Sequence, residues 1–144
     1  VPCGPRDDKP TLESYQHRLV MCHLAVDCSF GSRFPVIVSD IEGNFPTAVP
    51  SILLMRMLAA KHPEVQFSFV LGTDLVASLG EWTCPACPGH WDEVPDAGEL
   101  FVEENNFLLI PRPGSELSEE WFDELPSNFQ LISPAIKGAT LVTT

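Results

Sequence analysis

Hydrophobic and polar positions follow two different periods along this chain. From Ser14 to about Asp27, the residues Leu19, Cys22 and Val26 recur at helical spacing with Tyr15 on the same side, and Gly31 closes the element. Residues 35–42 form a β-branched run, Val36, Ile37 and Val38, that turns polar only at Ser39, Asp40 and Glu42. That pattern predicts a buried strand delivering its last residues to a sheet edge. A second helix is expected from Thr47 to His62, with Pro50 tolerable in its first turn and Pro63 just past its end. Residues 66–72 predict a second strand ending in Gly72-Thr73-Asp74, followed by a short helical stretch from Leu75 to Leu79. Residues 80–106, rich in Pro, Gly and acid, are expected as an irregular insert. A third strand at residues 107–112, an acidic helix from about Leu117 to Leu125, and short strands at residues 129–132 and 139–142 complete the series. The first ten residues hold Pro2, Gly4, Pro5 and Pro10 and predict a loop.

Strands alternating with helices form parallel β-α units, so the expected fold class is α/β with a doubly wound, mostly parallel sheet. Ligands of such sheets sit beyond the carboxyl ends of the strands. The polar ends Ser39-Asp40-Ile41-Glu42, Gly72-Thr73-Asp74 and Arg112 would then line one edge. A length of 144 residues, 44% of them hydrophobic and 19% charged, fits a single domain with a buried core. Eight Lys+Arg against 20 Asp+Glu give a formal charge of −12, weighted toward the second half. This argues against nonspecific binding to nucleic acid or to an anionic membrane, both of which draw on clustered cations. No apolar run approaches the ~18 residues that cross a bilayer. Five cysteines are an odd number, and no charged-then-apolar leader opens the sequence, so a reduced intracellular setting, cytoplasmic or nuclear, is expected.

Single motifs are weak here, but their order says more. Lys9 in a Val-Pro-type loop comes first, then Ser14-Tyr15-Gln16-His17-Arg18-Leu19-Val20-Met21. Val38-Ser39-Asp40-Ile41-Glu42 follows, then Phe69-Val70-Leu71-Gly72-Thr73-Asp74-Leu75, with Trp82 close behind. From about Val1 to Arg112, this series resembles the nicotinamide/nicotinate mononucleotide adenylyltransferase family. The resemblance implies a nucleotidyltransferase-type, Rossmann-like domain. It also implies adenylyl transfer from ATP, assisted by Mg2+, to a nicotinamide or nicotinate mononucleotide, releasing pyrophosphate in NAD biosynthesis. ATP and a pyridine mononucleotide are then the partners, and homo-oligomerisation is left open. By the same resemblance Gly72 and Asp74 approach the ATP ribose, Trp82 lies against the pyridine ring, and Lys9 reaches the mononucleotide phosphate as a point charge. Glu42 and Arg112 complete the nucleotide-binding set. His17 and Arg18 are assigned to helix packing and solvent.

The sequence also departs from the family's pattern. Neither a His-x-Gly-His motif nor the later Ser-Ser/Thr-Thr-x-x-Arg phosphate motif occurs, so no catalytic residue is assigned. Ile41 stands near the first strand's acid where the family has an aromatic, and Phe45 is the nearest ring. An internal portion of a longer enzyme is the expectation. A noncatalytic nucleotide-binding or interaction module, or a related nucleotidylyltransferase acting on another phosphate ester, are the alternatives. Cys84-Pro85-Ala86-Cys87-Pro88-Gly89-His90 has the spacing of a zinc knuckle, but no fourth ligand is evident. Zinc at Cys84, Cys87 and His90 is therefore a minor alternative to a surface excursion.

Overall fold

The computed structural model describes residues 1–6, 8–112 and 125–132. Its chain divides into two compact units, Val1–Pro50 and Ser51–Thr144.

In the first unit, helix α1 spans Tyr15–Ser29. Ser14 caps it, its hydroxyl accepting from the His17 N–H at 3.3 Å, which satisfies one of the four amides a helix leaves open at its start. No residue of α1 is buried. Residues 35–40 carry no strand, contrary to the expectation from their β-branched composition, and Ile37 is 86% exposed. A strand needs a neighbour for its ladder as well as suitable side chains. Among the described residues this stretch is paired with none.

The second unit is built around a sheet. Helix α2 covers Ser51–Lys61 and buries Ile52, Leu54 and Met55; it begins directly after Pro50 and ends before Pro63. Strand β1 is Ser68–Gly72, β2 is Asn106–Ile110 and β3 is Phe129–Leu131. All three are parallel in the order β1-β2-β3, with Val70 opposite Leu108 and Leu109 opposite Leu131. The α/β class and the parallel sheet thus agree with the sequence pattern. A 3-10 segment, Thr73–Glu81, follows β1 directly.

Residues 80–106 are more ordered than their composition suggests. Cys84 bridges Val94 and Cys87 bridges Trp91 in antiparallel fashion, and helix α3 spans Ala97–Glu104. The helix forms because Ala97 and Phe101 recur one turn apart and face the sheet core, where Phe101 is 1% exposed. Phe107 and Leu109, inward-facing alternate positions of β2, are 1% and 0% exposed. Each such side chain contributes roughly 1.5–3 kcal/mol by leaving water. The Phe101 ring meets Phe107 edge-on at 5.2 Å and Phe69 edge-on at 5.1 Å. Arg56 of α2 and Glu104 of α3 join at 2.6 and 2.8 Å in a two-pronged ion pair. The expected acidic helix near residues 117–125 and the strand at residues 139–142 lie, apart from residue 125, outside the described residues.

Candidate functional site

Parallel strands carry their polar residues out at their carboxyl ends, and β1 and β2 do this side by side. Gly72 pairs with Ile110 at the end of the ladder. Beyond it, the Thr73 hydroxyl accepts from the Arg112 N–H at 3.1 Å, and Arg112 Nη1 donates to Asp74 Oδ2 at 3.1 Å. Three of the residues singled out from the sequence, Gly72, Asp74 and Arg112, therefore meet in one cluster. Gly72 leaves room for that meeting: a Cβ there would collide with Asp74 Oδ1 and come within 2.9 Å of Arg112 Nε, so these side chains would have to shift. The Asp74 side chain is 29% and the Arg112 side chain 58% exposed, so a carboxylate and a guanidinium are both presented to solvent at a strand end. Thr73, 5% exposed, is expected from the sequence only as one residue of that polar strand end, with no role of its own. Its bond to Arg112 becomes legible only once the register shows β2 ending beside it.

Trp82 closes the 3-10 segment, its N–H donating to the Leu79 carbonyl at 3.2 Å. Its indole stacks on Phe101 at 5.7 Å with 16° between the planes and takes the edge of Phe69 at 6.4 Å. It is half-buried and lines a hollow of about 470 Å³ formed by residues 80–85 and 93–97. Asp74 does not line that hollow. Phe101, the indole's support, was missed because the segment around it read as irregular; the Ala97/Phe101 spacing was the available signal.

The cysteine motif is organised as a hairpin. Cys87 N donates to Trp91 O at 2.9 Å and Val94 N to Cys84 O at 3.0 Å. Cys84 is 2% exposed within the hydrophobic core, and burial pushes its thiol pKa up, away from the thiolate that a metal needs. Among the described residues, no group of three or more His, Cys, Asp or Glu side chains is placed to hold a metal ion. Zinc at Cys84, Cys87 and His90 gains no geometric support. Cys84 packs as a small apolar residue.

Within the first unit, Lys9 is exposed on a turn whose backbone bonds are Lys9 N to Arg6 O at 3.2 Å and Leu12 N to Lys9 O at 3.0 Å. Glu42 is placed otherwise than expected. It is 3% exposed, and its Oε2 accepts from Gly4 N at 2.8 Å and Val49 N at 2.9 Å, so its carboxylate faces backbone amides. The reason is local: residues 41–44 form a turn, not a strand end, which tucks the side chain inward. Arg18 reaches the same loop, donating from Nη1 to Cys3 O at 2.7 Å and from Nη2 to Gly4 O at 3.2 Å. His17 stays at the surface beside Glu13. Tyr15 has a buried hydroxyl with no hydrogen-bond partner among the described residues. Its pKa is raised by burial and by the Asp40 and Glu42 carboxylates.

No helix among the described residues is long and apolar enough to cross a membrane. No protein-family profile matches the sequence. Similar proteins are nonetheless found. A probable nicotinate-nucleotide adenylyltransferase of Flavobacterium johnsoniae is 31% identical over 116 residues, 81% of this chain and 51% of that protein. One from Anaeromyxobacter dehalogenans is 29% identical over 91 residues, 63% of this chain and 45% of that protein. Among solved structures, Plasmodium falciparum nicotinic acid mononucleotide adenylyltransferase complexed with NaAD superposes with a TM-score of 0.70 at 27% identity. That match covers 94% of this chain and 58% of that one. The same enzyme complexed with APC gives 0.67 at 25% identity. The chain spans about half the length of the curated relatives it matches.

Proposed function

From a chain related in sequence and in fold to the nicotinate-nucleotide adenylyltransferases, we propose adenylyl transfer as the function: the phosphate of a pyridine mononucleotide attacks the α-phosphate of ATP, and pyrophosphate leaves. Residues 1–144 are read as part of one nucleotide-binding α/β domain. The observation that carries the proposal is the Gly72–Thr73–Asp74 strand end with Arg112 beside it, in a chain that aligns with such an enzyme over 94% of its length. Phosphoryl chemistry of this kind asks little covalent work of a protein; it asks for two polyanions held in line.

In this reading Asp74 accepts from ribose hydroxyls of ATP, and the missing side chain at Gly72 lets the sugar approach the backbone. Arg112 keeps Asp74 aimed and adds a cation near the phosphates. Trp82, held flat by Phe101, offers its free area to the pyridine ring. Lys9 supplies a mobile positive charge for the mononucleotide phosphate. The described side chains form no magnesium cage. A magnesium ion arriving with ATP would take its ligands from phosphate oxygens and water.

The test is calorimetric titration of the native-length protein with ATP, nicotinate mononucleotide and their dinucleotide product, followed by a pyrophosphate-release assay. Saturable binding of all three, weakened at least about tenfold by Asp74→Ala, with pyrophosphate release, is expected. Binding without release would favour the noncatalytic module. Absence of binding would overturn the proposal.

A further inference from the structure

The first unit spends a buried carboxylate on a loop and not on a core. We infer that Glu42 and Arg18 form a clamp that positions the Lys9 loop for an anionic ligand, an inference resting on the reading of Lys9 as a phosphate contact. Cys3 and Gly4 are gripped from both sides. Their carbonyls accept from the Arg18 guanidinium at 2.7 and 3.2 Å, while the Gly4 N–H donates to Glu42 Oε2 at 2.8 Å. The same oxygen takes the Val49 N–H at 2.9 Å, and Ala48 N donates to Pro5 O at 2.7 Å, so the stem is tied along the strip at residues 47–49. The approach is so close that a Cβ on Gly4 would stand 2.7 Å from the Thr47 carbonyl oxygen.

Past Pro5 the loop emerges. Arg6 and Asp8 pair at 2.6 and 2.9 Å, and Lys9 follows, exposed. The result is a stem fixed by charge-assisted bonds and a cation at the tip. A lysine is a point charge on a flexible stem, so its usefulness to a phosphate depends on where its backbone is held. A buried carboxylate is costly unless hydrogen-bonded, and Glu42 finds its donors on this loop and on the strip that supports it. Glu42 and Arg18 act through Lys9 and are positioning residues.

Titrations of the native-length protein with nicotinate mononucleotide and, separately, with ATP test the clamp, using Lys9→Ala, Glu42→Ala, Glu42→Gln and the double variant Lys9→Ala/Glu42→Ala. Amide exchange at Gly4 and Val49 is followed in parallel. Glu42→Ala and Lys9→Ala should each weaken mononucleotide binding about tenfold while ATP binding stays within about twofold. The double variant should be little worse than either single one, because both remove the same contact. Glu42→Gln keeps a carbonyl acceptor and should recover most of the affinity and of the exchange protection. If Glu42→Ala fails to fold, Glu42→Gln carries the test: its small loss of Gly4 and Val49 protection should be matched by a small loss of mononucleotide affinity with ATP affinity unchanged, and lost protection without that matching loss would overturn the inference. Equal losses for both ligands, or additive losses in the double variant, would mean a merely structural role and overturn the inference. Weakening by Lys9→Ala but not by Glu42→Ala sinks the clamp alone; binding that Lys9→Ala leaves intact sinks the Lys9 reading and the clamp with it.

Discussion

The two units of this chain are held together by different physics. The described residues from 51 onward fold around a sheet, where Phe107 and Leu109 of β2, Phe101 of α3 and Leu79 of the 3-10 segment are at most 2% exposed. Residues 1–50 have a 15-residue helix with no buried side chain and a proline-rich loop tied by Glu42 and Arg18. Apolar burial is non-directional and strong in sum, which suits a scaffold. Hydrogen bonds to charged groups are directional and few, which suits the setting of one loop. The difference teaches that a fold can put its stability in one region and its aim in another.

Four perturbations sharpen or break this contrast. The largest effect belongs to the scaffold: Phe101→Ala should lower stability by about 3–5 kcal/mol in denaturant unfolding and free the Trp82 indole, visible as a shifted emission. A smaller loss, about 2–4 kcal/mol, is expected for Glu42→Ala, because two buried N–H groups lose their acceptor. If apolar packing secured the first unit as it does the second, this variant would unfold with unchanged midpoint. Gly72→Ala should cost about 1 kcal/mol, since the atom it meets most closely, Asp74 Oδ1, is the end of a side chain that can shift, and the exposed Arg112 side chain can swing with it. The shift should nonetheless cut ATP affinity more than it cuts stability.

The smallest effect tests an exposed ion pair within the scaffold. Arg56 holds the Glu104 carboxyl below its ordinary pKa of 4.5, through their hydrogen bond first, then against desolvation, with charge attraction adding to it. A depressed folded pKa gives stability that is complete above about pH 4.5 and is lost as pH falls through the lower folded value. The two side chains are 42% and 37% exposed, so solvent screening keeps the contribution below about 1 kcal/mol. Stability measured from pH 6 down to pH 3 should fall less steeply for Glu104→Gln than for the unaltered chain. Identical slopes would remove the pair from the account.

Much of the second unit was legible in the chain, because strand and helix periods there coincide with burial. Residues 66–72 and 129–132 each contain a strand, residues 107–112 overlap one that starts a residue earlier at Asn106, and the order of motifs singles out Gly72, Asp74 and Arg112. Helix α3 was obscured by the prolines, glycines and acids around it. The β-branched run at residues 35–40 misled for a different reason: propensity describes side chains, whereas a strand exists only with a partner ladder.

What the sequence settled by itself is the kind of fold and the identity of the polar residues at the ends of β1 and β2, since both are written in local periodicity and order. What only the tertiary structure decided is which of those residues face solvent and which face backbone. Asp74 meets Arg112 across 38 positions at an open edge, and Glu42 meets Gly4 across 38 positions in the interior. Nothing in the local pattern separates the two carboxylates, because the partner that fixes each one lies far along the chain.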